Sequence, residues 1–236
     1  MREVQVAKLE SVHGTQQSPI NITAREAFSV ADKIAGTGYN QNSFKGHVVE
    51  NAEHHYFELS ERDNKKLPSV EFRSTRAVLK SIHFHAPSEH QLEGNEYDAE
   101  FHFVHDIVSK EVTGNAHVQE PSTKLVIGVF ANAVKSAEEI ASFCNSLKVL
   151  KETGKPCPKE CEFPAKILND IPSKFGSFFH YRGSLTSGEH LEIVSWIVLK
   201  EAIGVSSDLL EEIESLDQPT RELQLLNRRI LLVSGT

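Results

Sequence analysis

Two short segments, Ser81-Ile-His-Phe-His85 and Ala99-Glu-Phe-His-Phe-Val-His105, alternate side-chain character with a period of two, and that period belongs to strands rather than helices. In the first, His83 and His85 share one face and Phe84 takes the other. In the second, Glu100, His102 and Val104 point one way, while Phe101, Phe103 and His105 point the other. Pro87, Gly94 and Asn95 lie between the segments, turn chemistry that lets the second strand return antiparallel to the first. His102 then arrives beside His83 and His85, with the phenylalanines on the core side.

Similar runs at 46–49, 55–59, 70–72 and 125–130 predict further strands, so the chain is strand-rich. Two helices are expected, one over 136–150 opened by a Ser136-x-x-Glu139 capping box, one over 206–216 opened by Ser206 or Ser207 ahead of acidic residues. Both read as peripheral. Prolines 156, 158 and 164 mark an irregular loop before the last third. No repeat or composition shift divides the 236 residues, and 39% hydrophobic content suffices for one core.

A formal charge of −8 with scattered lysines and arginines argues against a nucleic-acid partner. The longest apolar stretch, 125–134, is short and broken by Gly128 and Asn132, so no membrane span is expected. The first ten residues lack the apolar core of a signal peptide. That beginning, if native, fits the cytoplasm; a trimmed leader would point to the periplasm or exterior. Cys157 and Cys161 are close enough in sequence for a local disulfide, although surface thiols are the favoured reading, and Cys144 reads as an inert buried thiol.

Of twelve histidines, five fall between His83 and His105. A lone histidine is more often a packing residue than a ligand, but three at these spacings favour a shared cation. Three protein ligands with one open position is the catalytic zinc arrangement, whereas structural sites close all four positions, commonly with thiolates. No cysteine lies near enough in sequence to close this one. Glu100 can hold a proton of a ligand imidazole and fix its tautomer.

Gln17-Ser-Pro-Ile-Asn-Ile22, His83-Phe-His-Ala-Pro-Ser-Glu-His90, Ala99-Glu-Phe-His-Phe-Val-His105 and Tyr181-Arg-Gly-Ser-Leu-Thr186 resemble, in order and spacing, successive signatures of alpha-class carbonic anhydrases. The similarity continues through Trp196-Ile-Val-Leu-Lys-Glu201, Val205-Ser-Ser207 and Arg221-x-x-Gln224-x-Leu226. The resemblance implies a mainly β single domain over 17–236, built on a large twisted, predominantly antiparallel sheet with short peripheral helices. Residues 1–16 correspond to a shortened N-terminal segment. It implies zinc as cofactor, held by His83, His85 and His102, and reversible hydration of carbon dioxide to bicarbonate by a zinc-bound hydroxide. It further implies that Glu89 and Thr186 orient that hydroxide, with Glu100, His90, Tyr181 and Ser81 supporting the ligands. Val104, Val126, Leu185, Trp196 and Ser187 match the substrate pocket, and sulfonamide-type inhibitors are expected to bind.

The family's proton-shuttle histidine falls on His54 or His55, with His55 favoured because Phe57 and Leu59 then occupy core positions. His13, His47, His117, His180 and His190 have no spacing relation to the metal set and read as solvent-facing or packing residues. Several departures stand out: the aromatic-rich N-terminal segment is absent, Ser81 replaces the usual glutamine, and Gly188-Glu189 replaces Pro-Pro beyond Thr186. Two rivals remain in view. One is a non-catalytic zinc-binding or interaction module on the same fold. The other is a cupin-type metalloprotein, which the absence of its glycine spacing and of a second motif disfavours.

Overall fold

The computed structural model describes residues 14–39, 44–50, 54–60, 67–108, 123–135, 141–216 and 218–235. The strands are β1 Asn21–Ile22, β2 Phe28–Ser29, β3 Ile34–Thr37, β4 Phe44–Glu50, β5 His55–Leu59, β6 Ser69–Phe72, β7 Thr75–His85 and β8 Gln91–Leu92. They continue as β9 Ala99–Val108, β10 Lys124–Val134, β11 Cys161–Phe163, β12 Phe178–Gly183, β13 Val194–Leu199, β14 Ile203–Ser206 and β15 Leu232–Ser234. Three helices accompany them, α1 Ala141–Thr153, α2 Ala165–Lys174 and α3 Ser207–Glu214.

Among the described residues, thirteen strands form one sheet whose main path runs β11-β4-β5-β7-β9-β10-β13-β12-β15-β2. Most neighbours are antiparallel; β10 runs parallel to β13 and β14, and β15 to β2. The predicted sheet architecture is therefore present, and each predicted strand lies inside an observed one.

Apolar side chains cover both faces of the sheet centre, and β10 shows how. Leu125, Ile127, Val129 and Ala131 join the larger cluster with Phe57, Phe84, Phe101 and Phe103, while Val126 and Phe130 join the smaller one with Tyr181 and Trp196. A strand buried on both sides reads as a continuous apolar run, as this one does. The row of His102 and Val104 sits on the side of the smaller cluster.

The helices depart in detail from the sequence reading. Helix α1 spans Ala141–Thr153; Ser136 and Glu139, the expected capping box, lie outside the described residues. Helix α3 is capped by Ser206, whose Oγ accepts from Leu209 N, and buries Leu209, Leu210 and Ile213. Helix α2 was not predicted. Its apolar positions Ile167, Leu168 and Ile171 are buried, yet Pro164 and Pro172 bracket them and read as breakers. Pro164 instead supplies the N-cap, ahead of the first helical residue.

The thiols also need one correction. All three cysteines are free, and Cys161 is buried in β11 rather than at the surface. Cys144 is buried too, and burial pushes its thiol up to about 11, which keeps it in the unreactive form.

Candidate metal centre

Strand register gathers the chemistry. Pairing of β7 with β9 sets His83 opposite His102 and His85 opposite Glu100. Pairing of β9 with β10 sets Gly128 opposite His102 and Val126 opposite Val104. Beyond them, β13 brings Trp196 beside Val126, and β12 brings Tyr181 opposite Trp196. Residues directly opposite share a face, so one surface carries imidazoles at one end and an apolar wall at the other.

Three buried donor atoms, one each from His85, Glu89 and His102, lie within 4.8 Å of one another. Glu89 Oε2 is 3.6 Å from His85 Nε2 and 3.9 Å from His102 Nδ1. Neither ring nitrogen of His85, nor Glu89 Oε2, has a hydrogen-bond partner. Buried polar atoms left in this way are costly unless something else satisfies them. Two buried imidazoles converging beside a carboxylate, with a third imidazole, His83, opposite His102, suit a zinc ion, so the residues fit the metal. His83 is on the same face but outside the trio; its ring lies 5.7 Å from that of His54 and 5.6 Å from that of Tyr56.

Protonation favours ligation at His83 and His85. Burial, reinforced by His102 and other imidazoles, holds His83 and His85 well below the usual histidine range, so both are neutral. Burial alone would raise Glu100; His90 and His102 overcome it and keep the carboxylate well below its ordinary range. His102 feels the reverse balance, with burial opposed by Glu100 and then Glu89, and its basicity is raised.

Glu100 is the hub behind the donors. Its Oε1 lies 3.0 Å from His102 Nε2 and 2.8 Å from His90 Nδ1, and its Oε2 accepts the His90 backbone N–H at 2.8 Å. His90 Nε2 meets the Tyr181 hydroxyl at 2.6 Å, and that hydroxyl donates to Ser18 Oγ at 2.9 Å. Gly183 admits Ser18, because a Cβ there would fall 2.1 Å from its Oγ. Arg221 completes the support: its backbone N–H donates to Glu89 Oε1 at 3.1 Å, and its guanidinium donates to Ser18 O and Gln17 Oε1. Ser18 and Arg221 lie in matched motifs, but spacing alone assigned them no role, since their partners are far away in sequence.

The pocket residues fall beside this cluster. The Trp196 ring is 4.9 Å from that of His102 and 4.8 Å from that of His90, and its Nε1 donates to Ser184 O. Val126 is buried, while Val104 and Leu185 pack partly buried against the same cluster. Thr186 and Ser187 are half-buried in the turn beyond β12. Because Glu89 Oε2 has no hydrogen-bond partner, the Thr186 hydroxyl is not docked on that oxygen. Ser81 is half-buried opposite Glu58 and Val104.

The two shuttle candidates separate clearly. His54 is buried, its ring 5.7 Å from that of His83 and 5.2 Å from that of His85. His55 instead lies 3.8 Å from exposed Glu50. Position favours His54: sharing parity with buried Phe57 and Leu59 carries His55 to the face away from His83, because Tyr56 is the residue opposite His83. Among the other histidines, His180 packs on Phe72 and bonds Ser195 Oγ, His47 bonds the Cys157 carbonyl, and His13 and His117 lie outside the described residues.

Comparison with known proteins identifies the family. A family model described as "Eukaryotic-type carbonic anhydrase" matches residues 5–231. Carbonic anhydrase 1 of Monodelphis domestica is 29% identical over 86% of this chain and 79% of its own. The carbonic anhydrase of Neisseria gonorrhoeae is 28% identical over 93% and 77%. The alpha-carbonic anhydrase of Thermovibrio ammonificans, solved with the inhibitor sulfanilamide, superposes with a TM-score of 0.69 at 28% identity, covering 93% of this chain and 87% of that one. Dioscorin, solved with ascorbate, shares the fold at a TM-score of 0.74 and 19% identity, covering 94% and 87%. With nearly its whole length matched, the chain belongs to the eukaryotic-type, or alpha, carbonic anhydrase family.

Proposed function

We propose that this protein catalyses the reversible hydration of carbon dioxide to bicarbonate and a proton, with zinc held by His83, His85 and His102. The observation that carries the reading is the buried chain from donor atoms to support: His85 and His102 face Glu89, and Glu100 backs His102 at 3.0 Å. Bound zinc would supply the Lewis acidity that readies water for attack. Glu100 keeps a proton on His102 Nε2, leaving Nδ1 free to donate its lone pair. Glu89, fixed through Oε1 by the Arg221 N–H, offers Oε2 to the Thr186 hydroxyl. Once Thr186 donates there, its oxygen can only accept from the nucleophile, which aims a lone pair at the substrate. Val104, Val126, Leu185 and Trp196 give an apolar molecule a dry wall, with Ser187 at its edge. His54 passes the released proton outward.

A non-catalytic zinc-binding module on the same fold draws on one observation, the undocked Thr186 hydroxyl. Zinc content and activity measured together separate the two readings. The enzyme reading expects His102→Ala to lose both and a sulfonamide to inhibit the intact protein. Stoichiometric zinc retained without His102 would overturn the ligand set.

A further inference from the structure

The ladder between β5 and β7 ends at Tyr56↔His83, although β7 continues against β9 through Phe84↔Phe101 and His85↔Glu100. The next row, His55 against Phe84, is bridged instead by a side chain from near the C-terminus. Gln218 Oε1 accepts the His55 backbone N–H at 2.8 Å, and Gln218 Nε2 donates to the Phe84 carbonyl at 3.0 Å. One carboxamide therefore stands where two strands would otherwise bond directly. It satisfies a donor and an acceptor that the early end of the ladder would leave open.

We propose that Gln218 is a positioning residue for the metal site, a wedge that sets the entry of His85 and the spacing of β5 from the ligand strand. This rests on the zinc reading given above. The Phe84 carbonyl belongs to the planar peptide joining Phe84 to His85. Holding that carbonyl fixes the plane, and with it the direction from which the His85 side chain enters. The other end of the wedge holds the backbone next to His54, whose ring packs on His83 and His85. The Gln218 carboxamide presents a neutral donor and an acceptor on one planar carbon at every ordinary pH, so the bridge uses this chemistry rather than polarity in general. Three residues on, Arg221 N holds Glu89 Oε1, so a single short strap restrains both a ligand strand and the carboxylate facing it.

The test compares wild type, Gln218→Ala and Gln218→Glu, full-length and zinc-loaded, above neutral pH where the new carboxylate is ionised. The glutamate keeps the size and the acceptor but cannot donate to Phe84 O, so it reports even if the alanine variant fails to fold. Three readouts are taken: zinc release to excess chelator, the visible spectrum of the cobalt-substituted protein, and the melting temperature of the metal-free form. Both variants should release zinc about 10-fold to 100-fold faster, the cost typical of losing a contact that orients a ligand, and the cobalt spectrum should change. Unchanged release and spectrum, even with lowered melting, would make Gln218 merely structural and overturn the proposal. A wild type that binds no zinc would overturn the metal reading instead, and this proposal with it.

Discussion

Glu100 Oε1 stands 3.0 Å from His102 Nε2, and both side chains are buried. In the proposed zinc site this contact would set which imidazole nitrogen carries the proton and which is left for the metal. Glu100→Gln should therefore weaken zinc affinity about 10-fold to 100-fold, read by chelator competition. Gly128→Ala gives an independent check, since its Cβ would fall 2.7 Å from Glu100 Oε1 and push the carboxylate off its partners. Affinity should fall in that variant as well, with no change to any ionisable residue.

Thr186→Ala and Glu89→Gln should each lower kcat on the order of 10²-fold to 10³-fold, the usual cost of losing one preorganised polar contact to the reacting group. Their effects should not add if, as proposed, the hydroxyl works through the carboxylate. Carbon dioxide hydration by the two single variants and the double variant checks this. An additive double variant would separate the two roles.

The sheet and the ligand face were legible because a period of two states which residues share a side, and Ser81–His85 and Ala99–His105 follow it without a break. The support was not. Arg221 touches Ser18 and Glu89, and Gln218 touches His55 and Phe84, contacts between segments that no local pattern relates. Helix α2 follows directly on the stretch that prolines 156, 158 and 164 mark as an irregular loop, and Pro172 lies inside the helix, so breaker chemistry masks the apolar spacing of Ile167, Leu168 and Ile171. His54 and His55 are separated by something else: parity with Phe57 and Leu59 identifies the core face of β5, while the face shared with His83 follows only from the Tyr56↔His83 pairing.

The contrast between the two positions leads to a kinetic expectation. Replacing His54 with alanine should slow turnover in dilute buffer on the order of 10²-fold, and added imidazole should restore it. His55→Ala should leave turnover close to wild type, because His55 sits by Glu50 rather than the donor atoms. Equal effects of the two replacements would contradict the assignment.

Acid should destabilise the fold through two buried histidines outside the ligand set. Burial pushes His105 and His180 down to about 4 from an ordinary value of 6.5. Between those values the unfolded chain binds protons that the folded chain does not, so the contribution is complete above 6.5 and is lost as pH falls toward 4. Each shift corresponds to on the order of 3 kcal/mol. His180→Gln should flatten this dependence by about one proton, measured by urea unfolding across the acid range. His105, whose ring bonds Tyr39 and the Leu125 carbonyl, contributes a like share of the slope that remains, beside the buried His83 and His85.

Stopped-flow carbon dioxide hydration on zinc-loaded protein tests the central claim most directly. The account predicts a rate well above buffer that disappears with His102→Ala and is suppressed by sulfanilamide. Folded, zinc-loaded protein with no rate above buffer would contradict it.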